Sequence, residues 1–226
     1  MKGSDLMKDR TARALFGIVV YDGVEPIDIG GTVGVISMAR RVLPAINSVT
    51  IAEKAGPIEL AGGLTIIAQY GFLNAPACDV VIVCGGPGWR RETENSAMLD
   101  FLRHPPALQV ASVCTGAMIL GAAGILDGCM ATTRRTAVGS EATSPLSELM
   151  SLAPNARGQA AAIVEDDTIV TGGGVSLAID ATLYLIGMLF GETAREDVAR
   201  VIEYDRAYEA NKAALGHVRA ERGTVR

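Results

Sequence analysis

Apolar positions along the chain gather in short runs that alternate between two periods. Residues 14–21 (ALFGIVVY), 48–52 (SVTIA), 79–84 (DVVIVC) and 108–113 (LQVASV) are brief, β-rich and bounded by turn residues, as buried strands are. Residues 57–60 and 64–67 flank Ala61-Gly62-Gly63, and residues 163–164 and 169–170 flank Glu165-Asp166-Asp167; each set predicts a hairpin. Between the runs, residues 29–42, 95–103 and 115–123 carry helical spacing, with Pro44 and Pro105 beyond two of the ends. Residues 175–190 are apolar nearly all round and predict a buried helix. Residues 192–214 predict one further helix with an apolar stripe through Val198, Val201, Ile202 and Tyr208.

Strands alternating with helices predict an α/β domain: a single-domain sandwich with a mostly parallel central sheet flanked by helices. No repeat or Pro/Ser-rich linker divides the 226 residues, so one domain is expected over residues 14–214, between a flexible N-terminal segment (1–13) and a C-terminal tail (215–226). The net charge of −5 argues against a nucleic-acid partner. Residues 175–190 are too short, and too interrupted by Asp180, to span a membrane. Residues 1–13 mix acidic with basic side chains and show no cleavage site, so a cytoplasmic protein is expected. The four cysteines form no C-x-x-C pair, and neither His104 nor His217 lies near another ligand type at a recognisable metal-site spacing, so no metal is expected.

Chemistry concentrates at three strand ends. Residues 111–117 (ASVCTGA) place Cys114 between a strand and a Gly/Ala-rich helix start, a nucleophile-elbow arrangement; a buried structural cysteine is the alternative. At an elbow the helix N-terminus favours the thiolate, and the N–H of Thr115 points toward developing negative charge. The glycines of Gly85-Gly86-Pro87-Gly88 allow a backbone N–H to face a bound anion, or simply a tight strand exit. Asp28, in an otherwise apolar stretch, is either a helix N-cap or a buried acid with a raised pKa. Parallel strands end at one sheet edge, so Asp28, Gly86 and Cys114 can converge there.

Residues 22–31 (DGVEPIDIGG), 83–88 (VCGGPG), 112–116 (SVCTG), 121–128 (GAAGILDG), 131–133 (ATT), 171–174 (TGGG) and Ile179-Asp180 resemble, in order and spacing, the ThiJ/PfpI superfamily, and within it the isonitrile (isocyanide) hydratases. The resemblance runs from about residue 14 to 205. It implies a flavodoxin-like, class I glutamine amidotransferase-like fold, a homodimer, and a small-molecule substrate with no cofactor. By matching position, Cys114 is the implied nucleophile and Asp28 its acid/base partner. Thr115 assists at the elbow, and Gly86 supplies an oxyanion-hole N–H. The implied reaction is hydration of an isonitrile through a Cys114 thioimidate. Glyoxalase- or deglycase-like action on small carbonyl compounds, and a redox- or ligand-sensing module without turnover, are the alternatives. Arg134-Arg135 follow Thr133 where many relatives carry His and an aromatic residue. The pair reads as solvated or as facing an acidic substrate group.

Overall fold

The computed structural model describes residues 7–220. In chain order β1 (Ala14–Val19) leads to α1 (Pro26–Ile29), which passes through a π-helical stretch (Gly30–Gly34) into α2 (Val35–Ala39). Next come β2 (Ile46–Ala52), the hairpin β3 (Gly56–Glu59) and β4 (Thr65–Ala68), and the short β5 (Tyr70–Gly71). The centre holds β6 (Cys78–Val83), α3 (Trp89–Glu92), α4 (Ser96–Arg103), β7 (Ala107–Ser112) and α5 (Gly116–Ala122). Then follow β8 (Met130–Ala131), α6 (Pro145–Leu152), β9 (Arg157–Gly158), β10 (Ile163–Asp166) and β11 (Ile169–Gly172). The chain closes with α7 (Leu177–Phe190), α8 (Glu192–Val201), α9 (Asp205–Leu215) and β12 (His217–Arg219).

Eight strands form one sheet in the order β12-β10-β11-β7-β6-β1-β2-β5, parallel throughout except where β10 meets β11. The fold class read from the sequence is the one observed. β1 and β6 lie centrally, and Phe16, Ile18, Val80, Val81 and Ile82 are fully buried because helices cover both faces. Both predicted hairpins form.

Three expectations need correction. The helix predicted over residues 192–214 is broken in two: Glu203 adopts φ +54 between α8 and α9. The corner brings the Tyr204 hydroxyl to Asp180 (2.9 Å) and Asn211 Nδ2 to the same carboxylate (3.2 Å). Asp180 is fully buried in α7 and needs those donors, while the apolar stripe continues in both halves and hides the corner from the sequence. The tail from residue 215 does not leave the domain at once, because His217, Val218 and Arg219 pair with Ile163, Val164 and Glu165 as an edge strand. At the other end, the described part of the N-terminal segment is fastened. The Lys8 N–H donates to Leu189 O (2.6 Å), and Arg10 pairs with Asp197 (2.6 Å). Residues 1–6 and 221–226 of the two expected terminal segments lie outside the described residues.

Candidate active site

β1, β6 and β7 are neighbouring parallel strands, so the segments that follow them meet at one edge of the sheet. Just past β7 the chain turns sharply. Cys114 takes φ +53, a conformation that non-glycine residues seldom hold unless their surroundings enforce it. Here the Cys114 N–H donates to Gly173 O (3.0 Å) and its carbonyl accepts from the Thr133 hydroxyl (2.6 Å). Gly116 opens α5 against β6, where a Cβ would collide with Val83 O. A Cβ on Gly85 would lie 2.5 Å from Thr115 N and 2.9 Å from Cys114 Cβ. Backbone therefore packs on backbone, and only glycine permits it. The sharp strand-to-helix elbow read from the sequence is present, with Cys114 at its tip.

Asp28 is fully buried in the first turn of α1. It does not cap: Glu25 holds the N-cap position, and Asp28 Oδ2 accepts the Gly85 N–H (2.7 Å). Of the two sequence readings, the buried acid is the one realised. Its Oδ1 is buried without a hydrogen-bond partner. Burial pushes the Asp28 carboxyl up to about 7, with Glu25 adding to the rise and the Gly85 N–H opposing it.

Burial likewise pushes the Cys114 thiol up to about 11, and the charge of Asp28 adds to the effect. The N–H groups of Val175 and Thr115 and the Arg134 guanidinium pull the other way. Burial therefore works against the thiolate expected at the elbow, while the donors around the sulfur work for it. Burial raises both groups, so each is pushed toward its protonated form.

The structure also corrects the expectation for Gly86. Its N–H donates to Thr115 Oγ1 (3.0 Å), so it is engaged within the protein. The backbone N–H groups that lower the Cys114 pKa are those of Thr115 and of Val175, the second of which the sequence reading missed. Val175 holds φ +59, an outlier for a β-branched residue, and the run of three glycines before it was the available signal.

Arg134 was also underread. It is not solvated: its side chain is 14% exposed and its guanidinium lies beside the Cys114 thiol, while Arg135 is exposed. Trp89 packs in the core with the Arg90 guanidinium over its ring (4.3 Å). Cys84 is buried near the Thr32 hydroxyl (3.9 Å), and Cys78 and Cys129 are buried as well. A cavity of about 700 Å³ opens beside the ends of β1 and β2, walled by Tyr21, Glu53, Arg91, Glu92, Asn95 and Met98; Asp28 and Cys114 do not line it. Chemically, the arrangement offers a nucleophilic sulfur, a carboxyl that can take and return its proton, and two N–H donors for the charge between those events.

Residues 12–188 match the DJ-1/PfpI family. The chain is 30% identical over 190 residues to isonitrile hydratase of Pseudomonas putida, covering 83% of this chain and 77% of that one. It is 26% identical to the HTH-type transcriptional regulator GbdR of Pseudomonas aeruginosa, of which it spans half the length and which covers 84% of this chain. Among solved structures, a ThiJ/PfpI family protein from Pseudomonas syringae superposes with TM-score 0.73 at 26% identity, over 91% of this chain and 81% of that one. Drosophila melanogaster DJ-1beta superposes with TM-score 0.70 at 17% identity, over 85% and 98% of the two chains, a likeness of fold.

Proposed function

The chain belongs to the DJ-1/PfpI family, and from that premise we propose that it is an isonitrile hydratase-like lyase, adding water to an isonitrile to give an N-substituted formamide. The observation that carries this reading is the buried Asp28, with one carboxylate oxygen unpartnered, placed where its charge is felt by the strained Cys114. Similarity to the Pseudomonas putida isonitrile hydratase supports it.

The Asp28 carboxylate takes the thiol proton as Cys114 Sγ attacks the terminal carbon of the isonitrile. The carbon–sulfur bond forms, and Asp28 passes the proton to that carbon, leaving a thioimidate. Ionised again, Asp28 takes a proton from water as its oxygen adds to the same carbon, and the nitrogen receives that proton. The carbon–sulfur bond then breaks, the hydroxyl proton returns to sulfur through Asp28, and the formamide leaves. Negative charge on sulfur is met by the N–H groups of Thr115 and Val175, and the Thr115 hydroxyl fixes the Gly85–Gly86 turn through the Gly86 N–H. No step needs a cofactor. The same reading carries a homodimer in the cytoplasm, and the exposed Leu64 and Ile67 of the β3–β4 hairpin give such a dimer apolar surface to cover.

Turnover of cyclohexyl isonitrile to N-cyclohexylformamide tests the reading. Cys114→Ala and Asp28→Asn are each expected to lower kcat at least ~10³-fold. Undiminished turnover in both variants sinks it. Similarity to GbdR favours a second reading, a ligand-sensing module without turnover.

A further inference from the structure

Arg134 has no part in the proton transfers above, yet its guanidinium is the cation at the nucleophile. It follows Thr133, whose hydroxyl holds the Cys114 carbonyl (2.6 Å). Its stem occupies space that Gly174 leaves open: a Cβ there would lie 2.5 Å from Arg134 Cβ. This packing holds the Arg134 side chain beside the elbow, where its charge is felt by the Cys114 thiol. The same guanidinium donates to Thr136 O (2.6 Å) and is paired with the Glu141 carboxylate. The second Glu141 oxygen accepts the Val138 N–H (2.9 Å). Glu141 belongs to an irregular, exposed segment between Thr133 and α6, and its side chain is 32% exposed. A pair that served only this segment would need no place near Cys114, and sinking the guanidinium costs hydration. Two features therefore meet at one group: it pairs with a carboxylate, and its charge is felt at the Cys114 thiol.

We propose that Arg134 determines specificity, binding a carboxylate that the substrate carries within a few bonds of its electrophilic carbon, in exchange for Glu141. A planar guanidinium with further N–H donors suits such a carboxylate, and the exposed segment can release Glu141 without disturbing the sheet. For an isonitrile the class is a short isocyano acid. That substrate class rests on the hydratase reading; the anion site does not.

Two isosteric alkylating agents, iodoacetate and iodoacetamide, separate these ideas. In each, sulfur displaces iodide from carbon, and only the first bears a carboxylate. Rates of Cys114 labelling are measured by peptide mass spectrometry in the wild type, Arg134→Gln and Glu141→Gln. The iodoacetate-to-iodoacetamide rate ratio is expected to fall about tenfold in Arg134→Gln, as loss of a charge-assisted contact predicts, and to rise several-fold in Glu141→Gln, which frees the guanidinium. Opposite shifts are not what misfolding produces. An unchanged ratio in Arg134→Gln, or equal changes for both reagents, overturns the proposal. In parallel, KM for isocyanoacetate relative to methyl isocyanoacetate should rise in Arg134→Gln and fall in Glu141→Gln. If neither isonitrile is hydrated while the labelling ratio moves as stated, the hydratase reading fails and the anion site stands. If both are hydrated and neither ratio moves, the anion site fails alone.

Discussion

Burial decides the chemistry of individual residues here more than neighbouring charge does. Asp28 and Cys114 are both raised chiefly by desolvation. For Asp28 the folded value, about 7, lies above the ordinary 3.8, so the native state binds the extra proton between those limits. Stability from this group is complete below about pH 4 and is lost as pH rises through 7. Asp28→Asn, whose amide oxygen can still accept the Gly85 N–H, removes that loss. The variant is expected to gain on the wild type from pH 4 to 7, by up to ~4 kcal/mol, in urea unfolding at a series of pH values; parallel pH profiles would refute the buried-acid assignment. At this scale the turn at Cys114 and Thr115 was legible, because an elbow needs a particular order of residue types, whereas Asp28 read as either a cap or a buried acid. The places of Arg134 and Val175 were not legible. A side chain's environment depends on segments distant in the chain, and an arginine at a surface and an arginine at a thiol read alike.

Elements were legible wherever the apolar period was clean. β6, α4 and α7 lie within a residue or two of their predicted bounds. The first helix was read as starting at residue 29, yet it starts at Pro26, which suits an N-terminal turn. It also contains a π-helical stretch, which helical periodicity does not announce. Gly31, in that stretch, lies against α7, and a Cβ there would sit 2.6 Å from Ala178 Cβ. Gly34 has open space and φ −64. Gly31→Ala is expected to cost about 1–3 kcal/mol through overpacking, and Gly34→Ala to add about 0.5–1 kcal/mol by restricting the unfolded chain. Thermal unfolding of the two variants should therefore shift in opposite directions. Equal shifts would mean that the close approach of the π-helical stretch and α7 does not govern this site.

For the whole molecule, the last strand closes one edge of the sheet. His217 lies edge-on to the rings of Tyr184 and Tyr208 (5.4 Å each), and Arg219 reaches Glu165 (2.9 Å). Removing residues 217–226 uncovers β10 and the Tyr208 ring, and should lower stability by roughly 1–3 kcal/mol with Cys114 labelling intact; an unchanged melting temperature would show that β12 is dispensable. The sequence by itself determined the α/β class, the single domain, the elbow and the strand ends that converge on it, since these follow from local period and from residue types that tight turns require. Contacts across the fold decided that the α8–α9 helix is broken at Glu203, that the Gly86 N–H is taken by Thr115, that burial raises the Cys114 thiol, and that Arg134 and Glu141 meet near it. Each of those depends on which groups lose water together and which distant donor reaches them, and no local pattern in the chain encodes that.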